Sequence, residues 1–178
     1  MTLGSLSGYT VAITADRRWE EQAELFERRG GSVLHGPVIR TLPLADESGL
    51  REASEQLIAR PPDIVVLSTA VGVRGWFSAA ESLGLDDALL AALAASEVVV
   101  RGPKAAGAAL TAGLEVTWQT AEATYADVVH HLSEREGRTR ADGSPLRVAV
   151  QRDGAESAPL LTELPALGYD VVPVPVYQ

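Results

Sequence analysis

The 178-residue chain contains no cysteine. Disulfides, thiolate metal centres and a cysteine nucleophile are therefore excluded. Histidine is nearly absent, with only His35, His130 and His131. The last two are adjacent, so on a helix they diverge by about 100° and share no face. A histidine-based metal site is not expected, and no metal is assigned. Aromatic residues make up 5 % of the chain, so its core is expected to consist of Ala, Val and Leu. Basic charge is also short, and the formal net charge is −9. That leaves no basic footprint for nucleic acid in this segment. No apolar run approaches the roughly 20 residues of a membrane span, and no basic, apolar leader opens the sequence. The expectation is a cytoplasmic protein without a membrane partner. Familiar chemical signatures are missing as well. Arg101-Gly102-Pro103-Lys104 lacks phosphate-loop spacing, no Gly-x-Gly-x-x-Gly follows a strand, and there is no nucleophile elbow.

What the chain does contain is a repeated strand–turn–helix grammar. The clearest instance is Asp63 to Phe77, where Ile64-Val65-Val66-Leu67 is an unbroken apolar run. Such a run reads as a strand buried on both faces. Ser68, Thr69, a small residue and Gly72 follow, and a helix is expected from Val71 to Leu83. Tyr9–Ile13 also reads as a buried strand, and other strands are expected at Ser32–His35, Glu97–Val100, Glu115–Trp118 and Arg147–Val150. Helices are expected after Asp16, from Leu50, at Leu85–Ala94, from Pro103, from Thr124 and at Ser157–Leu167. Asp16 is the expected N-cap of the first helix, Pro103 suits a first helical position, and Thr124 with Asp127 forms a capping box. Trp76 reads as core. Glu134–Pro145 is charged and glycine-containing, and reads as a mobile surface loop.

Two extended segments carry prolines, residues 36–44 and 170–178. In the second, Pro173 and Pro175 put their missing N–H groups on one strand edge and leave those of Val172, Val174 and Val176 on the other. The pairing partner expected from this pattern is the first extended segment, giving a two-stranded linker. The expected organisation is α/β: two open parallel-sheet lobes of flavodoxin or Rossmann type. Residues 1–36 supply the first half of lobe 1, with its remainder expected after residue 178. Residues 37–45 and 172–178 form the linker, and residues 46–171 form lobe 2.

In open α/β sheets, ligands sit at the carboxyl ends of the strands. The strand-to-helix turns at Thr14–Arg17, Ser68–Gly72, Arg101–Lys104, Thr120–Tyr125 and Gln151–Ser157 would all open there. Free backbone N–H groups and positive helix ends make such a rim suited to anions with few basic side chains. Arg101 and Lys104 are carboxylate-binding candidates, Tyr125 is placed to face a cleft, and Tyr177 is the tail's acid–base candidate. The same hydroxyls and glycines are also ordinary helix caps, and both roles stand at this point.

Taken together, Val11-Ala12-Ile13-Thr14, Val66 to Val73, Arg101 to Ala106, Thr124 to Val129 and Val174-Pro175-Val176-Tyr177 resemble the uroporphyrinogen-III synthase family. The resemblance implies two α/β lobes on a two-stranded linker, the first lobe being built from both chain ends. It implies a cofactor-independent lyase of tetrapyrrole (heme) biosynthesis. Its substrate would be the linear polycarboxylate hydroxymethylbilane, bound between the lobes. The terminal hydroxyl is lost, and the last ring is inverted through a spiro intermediate to give uroporphyrinogen III. On this resemblance Tyr177 is the catalytic proton donor. Thr14, Ser68, Thr69, Gly72 and Lys104 match cleft-lining positions, with Arg17 or Arg18 as the substitute for the arginine that the family often has where Ala15 stands. Val71 and Ala105 stand where the family usually has Asn and Thr. Some members from high-GC bacteria carry a C-terminal DNA-binding domain. The alternative reading is therefore a ligand-sensing module of a transcription regulator, with DNA bound only through a domain beyond this segment. A periplasmic-type binding protein is a further, less specific reading.

Overall fold

A computed structural model describes residues 5–16, 18–38, 48–152 and 158–176. The chain divides into two units, Met1–Leu42 and Pro43–Gln178. Arg17, Tyr177 and most of the expected linker segment 37–45 lie outside the described residues.

The first unit is a βαβ hairpin: β1 (Thr10–Ile13), α1 (Trp19–Glu27) and β2 (Ser32–His35). The strands pair parallel, from Thr10 opposite Ser32 to Ile13 opposite His35. Gly30, at φ 84°, ends the helix in the left-handed conformation that glycine tolerates. Two expectations are corrected. Only Ile13 of β1 is buried, because within this unit the strand has one neighbouring strand and one helix to pack on. The N-cap of α1 is Arg18 rather than Asp16. Arg18 is left-handed at φ 56° with no side-chain cap bond, and its guanidinium Nε donates to Glu21 at 3.0 Å.

The second unit runs α2 (Ser48–Ala59), β3 (Ile64–Leu67), α3 (Ala70–Ser82), α4 (Asp86–Ala94), β4 (Glu97–Val100), α5 (Pro103–Thr111), β5 (Trp118–Gln119), α6 (Tyr125–Ser133), β6 (Arg147–Arg152), α7 (Ala158–Ala166) and β7 (Asp170–Pro175). Its sheet is parallel, in the order β5-β4-β3-β6-β7. β3 is therefore central, and all four of its residues are fully buried. Period-2 alternation sends them to opposite faces. Val65 and Leu67 join a core with α2, α3, α4 and α5, whereas Ile64 and Val66 join one with α6 and α7. Trp76 is wholly buried, and its indole N–H donates to Ser54 Oγ at 2.9 Å.

Three further expectations change. β5 begins at Trp118, not Glu115. The Thr117 hydroxyl accepts the Val98 N–H at 3.0 Å and the Thr117 N–H donates to the Val98 carbonyl at 2.9 Å, so side chain and backbone together precede this ladder. β7 pairs with β6 through Pro175, with Val172 opposite Ala149 and Val174 opposite Gln151. The Asp170 N–H donates to the Leu146 carbonyl at 2.9 Å, and strand alternation then aims the N–H groups of Val172 and Val174 the same way. The valine edge was identified correctly, but β6 occupies it and not residues 36–44. Residues 172–175 are thus a sheet strand. The loop 134–146 is anchored, not loose. Arg135 pairs with Glu97, Arg138 donates to the Ser133 carbonyl, and Arg140 donates to Asp63. Thr139 and Pro145 also form an antiparallel bridge.

Asp63 gathers the amino ends of the strands. It accepts the Arg147 N–H at 2.6 Å and holds both Arg140 Nε (3.1 Å) and Nη2 (2.8 Å). The bond to Asp63 raises the Arg140 guanidinium above its ordinary value. Removing the carboxylate by Asp63→Ala leaves a backbone N–H and a guanidinium unpaired, and is expected to cost about 2–3 kcal/mol in urea unfolding. On the other face, Tyr169 is buried and donates to the Leu132 carbonyl at 2.8 Å. Burial pushes its phenol above the usual tyrosine value. Above about pH 10 the unfolded chain then loses a proton that the folded chain keeps, so stability falls with rising pH. Tyr169→Phe is expected to lower stability by about 1 kcal/mol at neutral pH and to flatten that alkaline decline in unfolding measurements.

Candidate active site at the carboxyl edge of the sheet

The chain leaves β3 toward β4 and β5, then returns on the other side of β3 to form β6 and β7. The boundary between β3 and β6 is thus the topological switch point, where an open α/β sheet leaves a crevice outside its strand ends. Ser68, Thr69 and Gly72 leave β3 there, and Gln151 arrives on β6. The Thr69 hydroxyl caps α3 by accepting the Gly72 N–H at 3.1 Å. The same oxygen accepts Gln151 Nε2 at 3.0 Å, and that nitrogen lies 3.3 Å from the Thr69 carbonyl. Ser68 is buried, and its hydroxyl donates to the Gln151 carbonyl at 3.4 Å. The capping role foreseen for these residues is therefore realised. Ala70 and Val71, the first two residues of α3, have backbone N–H groups that precede any intrahelical partner.

The second cluster forms where β4 and β5 end. Arg101 lies over the Tyr125 ring, 4.4 Å from its centroid. This is a cation–π contact that keeps the guanidinium plane fixed. Tyr125 opens α6 behind a complete capping box, in which Thr124 Oγ1 accepts the Asp127 N–H at 3.1 Å. Thr120, at the end of β5, is buried and donates to the Arg101 carbonyl at 3.3 Å. Lys104 is exposed in the first turn of α5, just behind Pro103. Gly102, at φ 152°, and Ala123, at φ 55°, face each other here, and a Cβ on Gly102 would lie 3.2 Å from that of Ala123.

The structure thus brings Ser68, Thr69 and Gly72 together, and Arg101 with Tyr125, all on one edge of the second unit with Lys104. Thr14 follows β1 in the first unit and is exposed. Arg17 and Tyr177 are outside the described residues. Ala105 is buried in the core, and Val71 is half-buried. Gln151 was not singled out as a site residue. Its signal in the sequence is a lone amide ending the apolar run Val148-Ala149-Val150. Away from this edge, a cavity of about 400 Å³ lies between α3, α4 and α5, lined by Val73, Phe77 and Leu90 among others. A guanidinium, an ammonium and the positive ends of helices on one rim suit a ligand carrying several carboxylates.

Fold and rim together define a doubly wound, parallel α/β unit with an anion-accepting carboxyl edge. The family profile described as "HEM4: Uroporphyrinogen-III synthase HemD" matches residues 20–178, and the chain belongs to the uroporphyrinogen-III synthase family. A Bacillus subtilis (strain 168) relative, the uncharacterized protein YjjA, is 28 % identical over 176 residues, covering 97 % of this chain and 62 % of that protein. Among solved structures, a mutant uroporphyrinogen III synthase of the extremely thermophilic bacterium Thermus thermophilus superposes with a TM-score of 0.75 at 29 % identity. The wild-type enzyme in a second crystal form gives 0.65 at 30 %. Each of these matches covers 96 % of this chain and 62 % of the neighbour. The chain therefore spans about three-fifths of the length of the relatives it matches.

Ala123 holds a left-handed conformation that costs a residue with a Cβ about 1–2 kcal/mol. Glycine avoids that cost but adds chain entropy to the unfolded state. Ala123→Gly is expected to raise stability by about 0.5–1 kcal/mol in thermal or urea unfolding. A loss of stability would mean that the turn at the rim is not strained.

Proposed function

We propose that the protein is a uroporphyrinogen-III synthase, closing hydroxymethylbilane to uroporphyrinogen III in tetrapyrrole biosynthesis without a cofactor, in the cytoplasm. The observation that carries this reading is the anion-accepting edge, with Arg101 braced on Tyr125 and Lys104 on the next helix, in a chain that belongs to this family. No described helix is long and apolar enough to cross a membrane.

In this reading the substrate carboxylates are held by Arg101, Lys104 and the first-turn N–H groups of α3. Binding the flexible chain at several points brings its two ends together, which converts a search into a single local ring closure. Tyr177 donates a proton to the terminal hydroxyl as the C–O bond breaks and water leaves. The electron-poor methylene carbon is then attacked by the last ring at its already substituted position, giving the spiro intermediate. Fragmentation and recombination invert that ring, and loss of the ring proton completes uroporphyrinogen III.

The test is conversion of enzymatically generated hydroxymethylbilane by the full-length protein, reading the III isomer against the I isomer that forms spontaneously. Excess III isomer is the expected result, and I isomer alone contradicts the proposal. Tyr177→Phe is expected to lower kcat about 100- to 10,000-fold, the range for loss of one general acid, with an unchanged unfolding curve. Unchanged turnover would remove Tyr177 from the proton-donor role.

A further inference from the structure

At the switch point, a buried amide meets a helix that has no side chain to receive it. Gln151 is 0 % exposed. A Cβ on Gly72 would lie 1.8 Å from Gln151 Nε2, 2.7 Å from its Cδ and 2.8 Å from Val176 Cγ2. No real Cβ occupies such positions, so the absence of a side chain at Gly72 admits both Gln151 and Val176 against the first turn of α3. Gly72 is helical and has no positive φ, so steric room and not backbone freedom is what glycine supplies here. The amide then donates to Thr69, the cap that fixes the direction of that turn. Among the described residues the other end of the amide, Oε1, has no hydrogen-bond partner. The strand neighbours Val148, Ala149 and Val150 are all apolar and wholly buried. An apolar residue at 151 would fill the space without leaving a buried acceptor unpaired. Packing alone therefore does not account for glutamine. The clamp on Thr69 does.

We infer that Gln151 and Gly72 act as a positioning pair for the substrate rim. Together they lock the Thr69 cap, so that the free N–H groups of Ala70 and Val71 are held ready for a carboxylate, and they seat Val176, the residue before Tyr177. The consequence for catalysis rests on the synthase reading, whereas the lock itself does not.

The experiment uses the full-length protein and two near-isosteric variants. Gln151→Met keeps the length of the side chain and removes the donor. Thr69→Val keeps its shape and removes the hydroxyl acceptor, leaving only the longer contact to the Thr69 carbonyl, so the lock stays testable if either variant fails to fold. Two readouts are taken: hydrogen–deuterium exchange at the α3 first turn, and KM and kcat with hydroxymethylbilane. With an active wild type, Gln151→Met is expected to speed exchange at the Gly72 amide about tenfold. It is also expected to raise KM about fivefold or more, with kcat changed less than twofold. The double variant is expected to be no worse than the poorer single one, because both break the same contact. Faster exchange with unchanged KM would overturn the positioning role. Unchanged exchange would overturn the lock. A wild type that yields only the I isomer would defeat the synthase reading, and the exchange data alone would then decide the lock.

Discussion

Strand β3 is paired on both edges, with β4 on one side and β6 on the other, and this constraint organises the second unit. Its four apolar residues are fully buried because helices cover both faces of the sheet. A strand so enclosed can vary only at its ends. At the amino end, Asp63 ties β3 to β6 and to the loop carrying Arg140. At the carboxyl end the chain turns through Ser68 and Thr69 into α3, and the two directions of winding separate. The crevice that this separation creates is a consequence of topology, not of any one side chain.

The two ends of the sheet also differ in how they use charge. At the amino edge, acidic and basic groups face each other: Glu97 with Arg135, Asp63 with Arg140, and Asp170 with Arg60 and Arg147. At the carboxyl edge, Arg101 is braced by an aromatic ring and Lys104 stands exposed. Paired charge fastens the loop 134–146, whereas charge presented beside helix N-termini suits an anionic ligand. This asymmetry lets a chain with an overall charge of −9 present basic groups at one edge.

Features whose causes are local were legible in the sequence. The run Ile64–Leu67 marks a doubly buried strand, Pro103 opens α5, and Thr124 with Asp127 caps α6. Each depends on residues within a single turn or strand. Features that depend on distant partners were not. The valine edge of β7 was visible, but its partner β6 is separated from it by a whole helix, and pairing is decided by sheet order. The Thr117 hydroxyl adds a bond to Val98 just before β5, and the left-handed backbone of Arg18 sets the start of α1. The loop 134–146 read as mobile from its charge, yet its arginines reach partners up to 77 residues away in sequence. At the site, Arg101 and Tyr125 were both named from the sequence, whereas Gln151 acquires meaning only beside Gly72.

The central claim is that the ligand of this protein is held at the carboxyl edge of the second unit. Backbone amide resonances, followed by NMR while uroporphyrin III is titrated into the full-length protein, test it most directly. The account predicts that shift changes concentrate at Ala70, Val71, Arg101, Lys104 and Tyr125. Changes confined to the cavity between α3, α4 and α5, or to the amino edge around Asp63 and Arg147, would contradict it.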